Sequence, residues 1–357
     1  MTERVGVDVV VAVHDTSRPI ARAVRSVLDH NGEGVRLTVV CHELDADDVA
    51  AVLDPAHRDR VRLLEHRDGR RSPAGPFNAG IDAATADYVG VMGSDDTLAP
   101  GAISSWYWLA EKHRADAVVA RLEHADGRVV PTPPTRPFRR GLLDGVRDRL
   151  SYRSAPLGLV SRAAISRLGL RMDPEVPVGE DVGFVTRLWF GGRVVLDRTG
   201  PPYRIGDDAT DRVTLATRPV AEELAFVRRL LERPWFRALG LDERRAVCVK
   251  LVRIHLFGIV LNRPDPAWWT EAERAALAAT GRALLAAAPG VEAVLSLADR
   301  ALLDRILDGA GDGATLLSLA RARRRHGTPR TLLTRDPLRL LAREAPLRLM
   351  TASVLVR

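Results

Sequence analysis

Val7-Asp8-Val9-Val10-Val11-Ala12-Val13 is the stretch on which the fold of this chain turns. A run this dense in β-branched residues is the pattern of a strand buried on both faces, and such strands belong to parallel sheets covered by helices. Working outward, a turn over 14–18 leads to a helix over 19–30, opened by Pro19 in its first turn. Residues 35–41 repeat the strand pattern, 45–53 form an acidic helix, and 61–64 give a third, short strand. After a loop rich in Pro, Gly and Arg, a helix is expected over 78–86 and a fourth strand over 88–92. Strands alternating with helices specify an α/β fold with a mainly parallel sheet flanked by helices, whose ligands lie beyond the carboxyl ends of the strands.

The alternation continues with a helix after Pro100 that carries Trp106 and Leu109, a strand over 117–120, and a proline-rich loop over 131–137. Helices over 161–168 and 180–190 and a strand over Val194–Leu196 close the sheet-like part. Gly200-Pro201-Pro202 and the loop from Gly206 to Arg212 mark a change of character. From Pro219 onward only helical spacing remains, as at Leu224, Val227, Leu230 and Leu231. We therefore expect an α/β domain over residues 1–215 and an all-helical C-terminal region over 216–357. Most apolar residues of that region, with Trp268-Trp269, read as core.

Of the 357 residues, 46% are hydrophobic and 28% charged, a balance that excludes a disordered or fibrous chain. The two cysteines, Cys41 and Cys248, lie far apart in apolar runs, so no disulfide framework is expected and a cytoplasmic setting is. The first residues lack the pattern of a signal peptide, and the most apolar helical stretch, 246–261, is interrupted by Lys250, Arg253 and His255. It also falls short of the roughly 20 apolar residues of a bilayer span. The net charge of +7 is concentrated at one end, because ten arginines from Arg321 onward face only Asp336 and Glu344. That stretch has no aromatic side chain for base stacking, so nucleic acid is not an expected partner. Its last part, 331–357, alternates leucine clusters with Arg335, Arg339, Arg343 and Arg348. This resembles basic helices lying on anionic membranes, although Pro337 and Pro346 interrupt it, and peripheral membrane contact through the basic C-terminus is expected.

Three motifs carry candidate chemistry. In Val91-Met92-Gly93-Ser94-Asp95-Asp96 a carboxylate pair follows a buried strand, which suits Mn²⁺ or Mg²⁺ shared with substrate phosphates. Alone, it reads more readily as a turn, or as Asp96 capping the helix after Pro100, than as a metal site. In Val178-Gly179-Glu180-Asp181 the acids stand in a first helical turn, where the helix dipole favours them and keeps Asp181 ionised, as a general base requires. In Pro76-Phe77-Asn78-Ala79-Gly80, Asn78 reads as a helix cap and Gly80 as a point of close backbone approach.

In combination these motifs, with the strand ending Ala12-Val13-His14-Asp15 and the segment from Gly158 to Phe184, resemble the inverting family 2 glycosyltransferases of GT-A fold, as bacteria carry them. The resemblance covers about residues 5–215. It implies that Asp95 and Asp96 contact a metal and the ribose-diphosphate, with Asp96 the foremost metal ligand, and that the cofactor is Mn²⁺ or Mg²⁺. It further implies Asp181 as catalytic base, Glu180 as acceptor contact, Val13 and Asp15 at the nucleotide-base pocket, and Asn78 shaping the nucleotide site. The implied partners are a nucleotide-sugar donor and a glycan or lipid-linked acceptor, in cell-surface glycan synthesis.

The sequence also departs from the family's pattern. Gly93 stands where a further aspartate is common, Cys41-His42-Glu43 where paired aspartates read the base, and Phe77 where an arginine precedes Asn78. No histidine matches the metal-proximal one in Tyr203-Arg204-Ile205-Gly206-Asp207-Asp208, and Arg204 or Arg212 would supply charge to the diphosphate instead. A sugar nucleotidyltransferase would need a glycine- and arginine-bearing loop after the first strand, which Ala12-Val13-His14-Asp15-Thr16 lacks. A non-catalytic nucleotide-sugar-binding or scaffolding protein of the same fold is the alternative reading.

Overall fold

The computed structural model describes residues 6–31, 34–207, 218–309 and 311–356. Asp208, Arg212 and the expected domain boundary at 215 lie outside the described residues. Eleven strands are described: β1 (Val7–Val13), β2 (Val35–His42), β3 (Val61–His66), β4 (Tyr88–Gly93), β5 (Thr97–Leu98), β6 (Ala117–Val119), β7 (Leu122–His124), β8 (Val129–Val130), β9 (Gly158–Ser161), β10 (Val194–Leu196) and β11 (Tyr203–Ile205). The main sheet has the order β10-β6-β9-β4-β1-β2-β3.

β1 lies inside the sheet, between β4 and β2, because its side chains are apolar on both faces. Val7, Val9, Val11 and Val13 enter one core with the helix Ile20–Leu28, while Val10 enters another with Ile81 and Val185. Asp8 is the polar exception and is fully buried. It takes a bidentate ion pair from Arg36 (2.6 and 2.7 Å) and the N–H groups of Thr85 and Ala86 (2.7 and 2.8 Å). So satisfied, its burial costs little, and it ties the approach to β4 onto β1. The helix Ala74–Ala83 packs so closely on β1 that a Cβ at Gly80 would stand 2.2 Å from Val10 Cγ1.

β1, β2, β3 and β4 run parallel, with β2 on one side of β1 and β4 on the other. The topological switch point therefore falls between β1 and β4, where ligands bind in sheets of this kind. The one antiparallel member is β9, inserted between β4 and β6. The sequence reading placed only a helix there, starting at 161. Ser161 instead ends β9 and caps the helix Arg162–Leu168 through its hydroxyl. Insertion requires Gly158 (φ +129°), where a Cβ would meet Val118 O at 2.0 Å. A small second sheet, β5-β11-β7-β8, was also unread, because strands of two or three residues carry no period to detect.

After residue 218 the described residues hold only helices and short turns, as expected. Their apolar core takes in Val176, ahead of the helix Val182–Gly191, and Val182, its first residue. Trp269 is buried in it, whereas Trp268 sits under the Arg263 guanidinium. Cys41 and Cys248 are both free and buried. No helix among the described residues is long and apolar enough to cross a membrane.

Candidate active site

Asp95 and Asp96 leave β4 at the switch point. Arg18, in the turn after β1, donates through Nε to Ser94 Oγ and through Nη2 to Asp95 Oδ1, both at 2.8 Å. Arg22, on the following helix, donates to the Asp95 carbonyl at 2.7 Å. The Asp96 carboxylate accepts from the Tyr203 hydroxyl of β11 and from Gly206 N–H (2.8 Å). Burial lifts the Asp96 pKa above the usual carboxylate range against those hydrogen bonds, and the charge of Asp95 adds to it. Asp96 is not a helix cap: the helix Ala102–His113 is preceded by Gly101 in a left-handed conformation.

Glycines make this convergence possible. A Cβ at Gly93 would lie 2.7 Å from one Asp96 carboxylate oxygen and 3.2 Å from one of Asp95, and a Cβ at Gly206 would lie 2.1 Å from Asp95 O. Two enclosed carboxylates drawn together over Gly93 form a hard-oxygen pair, and Arg18 already meets part of the Asp95 charge. In donor chemistry they fit Mn²⁺ or Mg²⁺.

At the ends of β2 and β3, His42, Glu43 and Asp68 form a separate group whose ligand atoms lie within 4.8 Å of one another. Its members are already engaged with each other. His42 Nε2 lies 3.0 Å from Asp68 Oδ1, and Glu43 accepts the N–H groups of Asp68 and Gly69 at 2.7 and 2.8 Å. The group thus clamps the 67–70 loop beside the switch point. Val13 is fully buried at the end of β1. Asp15 accepts from Ser17 N–H at 2.8 Å and shapes the turn. The helix around Asn78 begins four residues earlier than expected, so Asn78 is no cap. Its amide instead pairs with Met172 in both directions (3.0 and 3.1 Å), joining the β1–β4 side to the segment that carries Glu180 and Asp181. Arg204 is exposed.

Glu180 and Asp181 immediately precede the helix Val182–Gly191, and the Asp181 side chain makes no capping hydrogen bond. Both retain partial access to solvent while protein encloses them on most sides. That enclosure, with the Glu180 charge added, raises the Asp181 pKa to about 8. Lys250, 3% exposed, opposes the rise with its positive charge.

Sequence reasoning did not reach Lys250, because it comes from the helical region. It ends the helix Leu241–Lys250 and is followed by a π-helical turn, Leu251–Leu256. In an α-helix residues five apart point to well-separated faces, but the i to i+5 repeat of a π-turn aligns them. Lys250 Nζ accordingly reaches His255 Nε2 at 2.8 Å. His255 packs edge-on to Phe226 at 4.9 Å, and Phe226 packs so tightly on Gly179 (φ +74°) that a Cβ there would lie 2.6 Å away. The contacts therefore run from the residue before Glu180, through two rings, back to Lys250. Burial depresses the His255 pKa, and Lys250 adds to the effect, so the ring is neutral and accepts a hydrogen bond from the Lys250 ammonium.

Residues 8–169 match the family model described as Glycosyl transferase family 2. The succinoglycan biosynthesis protein ExoO of Rhizobium meliloti is 28% identical over 236 residues, 62% of this chain and 67% of that protein. A poly(ribitol-phosphate) beta-glucosyltransferase of Bacillus spizizenii is 18% identical over 192 residues, 53% of this chain and 30% of that protein. The crystal structure of S. aureus TarS 1–349 in complex with UDP-GlcNAc shares the fold, with a TM-score of 0.73 at 15% identity over 89% of this chain and 91% of that one. Residues 8–169 thus resemble glycosyl transferase family 2, on a GT-A-type α/β sheet that this chain follows with a helical C-terminal region.

Proposed function

We propose that this chain is an inverting glycosyltransferase in which Asp181 is the general base and Asp95-Asp96 face the donor diphosphate. The observation that carries the reading is the enclosed Asp181 carboxylate, unspent on capping, with a raised proton affinity and a buried lysine as counter-charge. A base needs a proton affinity near the working pH, and this carboxylate has one. In the reaction Asp181 takes the proton of an acceptor hydroxyl while the oxygen bonds to the anomeric carbon, and the bond to the nucleoside diphosphate breaks on the opposite face. Glu180 contacts the acceptor. Asp96 and Asp95 would hold Mn²⁺ or Mg²⁺, which supplies neutralising charge to the diphosphate when bound. Arg18 fixes the Asp95 carboxylate, and the Val13 backbone and Asp15 border the base pocket that Asn78 helps to shape.

UDP-GlcNAc, bound in the TarS structure, makes a UDP-sugar the first donor to test. The acceptor is a glycan or a lipid-linked saccharide. The working division is residues 1–215 for donor chemistry and 216–357 for a helical region that supplies Lys250, at the cytoplasmic face of a membrane met through the basic C-terminus. Gly93, which withholds one carboxylate, favours the second reading of a non-catalytic nucleotide-sugar-binding or scaffolding protein. A panel of nucleotide-sugars with Mn²⁺ separates the two: an enzyme shows slow donor hydrolysis, and a binder shows saturable binding alone. Asp181→Asn is expected to keep donor binding and lose transfer by about 10²–10⁴-fold. Near wild-type transfer by that variant would sink the assignment.

A further inference from the structure

Between the loop after β8 and the helix Pro346–Leu355 lies a cavity of about 550 Å³. Five arginines line it: Arg136, Arg147, Arg149, Arg343 and Arg348. Arg136 is spent on Asp148 at 2.7 Å. Arg149 is 3% exposed, with Glu344 3.6 Å from its Nε, yet that Nε makes no hydrogen bond. Arg343 and Arg348 lie near enough to Arg149 to oppose its charge. Among the described residues, no carboxylate stands within ion-pair distance of Arg147, Arg343 or Arg348. Five guanidinium groups against the two carboxylates of Asp148 and Glu344 leave an excess of positive charge, which favours an anion in the space between them.

Exposed apolar side chains flank the lining residues in sequence: Leu341, itself a lining residue, is 72% exposed, while Leu338, three residues before it, and Phe138, next to the lining Pro137, are each 92% exposed. Of the eleven large hydrophobic side chains exposed among the described residues, six fall within 333–355, which concentrates them on this part of the molecule. A soluble polyanion would neutralise the arginines and leave these apolar side chains in water. An anionic lipid surface meets both demands at once, because guanidinium groups pair with phosphates while apolar side chains enter the interfacial layer.

We propose that this cavity and these apolar side chains dock the protein on an anionic bilayer, with a phospholipid headgroup phosphate in the arginine-lined space. This rests on the peripheral contact proposed above and gives it a location outside the sugar-transfer site. Cosedimentation of the full chain with phosphatidylglycerol and with phosphatidylcholine vesicles tests it. Binding is expected to the first, at least tenfold weaker to the second, and to fall steeply with salt. R147Q/R343Q/R348Q is expected to weaken binding at least tenfold, and so is F138S/L338S/L341S, with donor hydrolysis and melting temperature retained in both. Phosphatidylglycerol binding that survives in both variants overturns the docking surface and leaves the peripheral contact standing. No binding by the wild-type chain overturns both. Soluble polyphosphate binding without vesicle binding, unaffected by the serine variant, overturns the proposal in favour of a polyanionic partner.

Discussion

At the scale of single residues, the expected pH behaviour follows from Asp181. A base must be ionised to accept a proton, so activity is lost as pH falls through its pKa. With enclosure and Glu180 raising that pKa to about 8, the acidic limb of kcat/KM should lie near or above neutrality rather than near 4. Lys250 lowers the same pKa, so Lys250→Met should push the limb to still higher pH, and Lys250→Arg should bring part of it back. A Lys250→Met enzyme with reduced kcat and an unmoved limb would make Lys250 merely structural. Asp96→Asn, which keeps the hydrogen bond from Gly206 N–H, should raise KM for the donor and weaken the response to Mn²⁺, read by titrating the metal at fixed donor. The proposed site was partly legible because Asp95, Asp96, Glu180 and Asp181 sit in compact motifs at strand or helix ends, where chemistry tends to collect. Tyr203 and Lys250 were not, since each meets its carboxylate only through tertiary packing, and no local pattern marks a residue by a partner some 70 or 107 positions away.

Among elements, those with a clear period were read to within a few residues: β1, β2, β4 and the helices between them, and the strand Val194–Leu196 to the residue. β9 was missed because Gly158-Leu159-Val160-Ser161 is four residues long and merges into a helical pattern. What sets it in the sheet is the space between β4 and β6, a property of neighbours and not of the segment. Its weak point is Gly158. Gly158→Ala adds a Cβ 2.0 Å from Val118 O at φ +129°, and we expect a loss of about 3 kcal/mol or more by denaturant titration. Gly80→Ala should cost roughly 1–3 kcal/mol, since the Val10 side chain has some room to turn. Wild-type stability in Gly158→Ala would mean that β9 is not wedged as described.

For the whole molecule, the helical region was legible as helices but not as a participant. Arg253, 7% exposed, stands 3.1 Å from the Tyr152 hydroxyl and 3.6 Å from Asp299, and Arg323 pairs with Asp299 at 2.8 Å. Arg229 grips Asp173 at 2.7 and 2.9 Å, just ahead of the proposed base. Sheet and helices joined by buried charge should unfold together. Arg253→Met, which removes one cation from Asp299 and Glu344 while Arg323 and Arg149 remain, should lower stability by about 1–3 kcal/mol and split a single calorimetric transition into two. A single transition at unchanged temperature in that variant would show the halves to be only weakly coupled.

The π-helical turn that aligns Lys250 with His255 also limits what can be recombined. A chimaera that grafts residues 1–215 onto a foreign tail would inherit every acidic motif yet lack the cation that tempers Asp181. Such a graft is expected to load donor normally, to stay nearly silent at neutral pH, and to awaken in alkali. Swapping tails between relatives would then preserve function only where the incoming helix delivers a buried positive charge to the same spot.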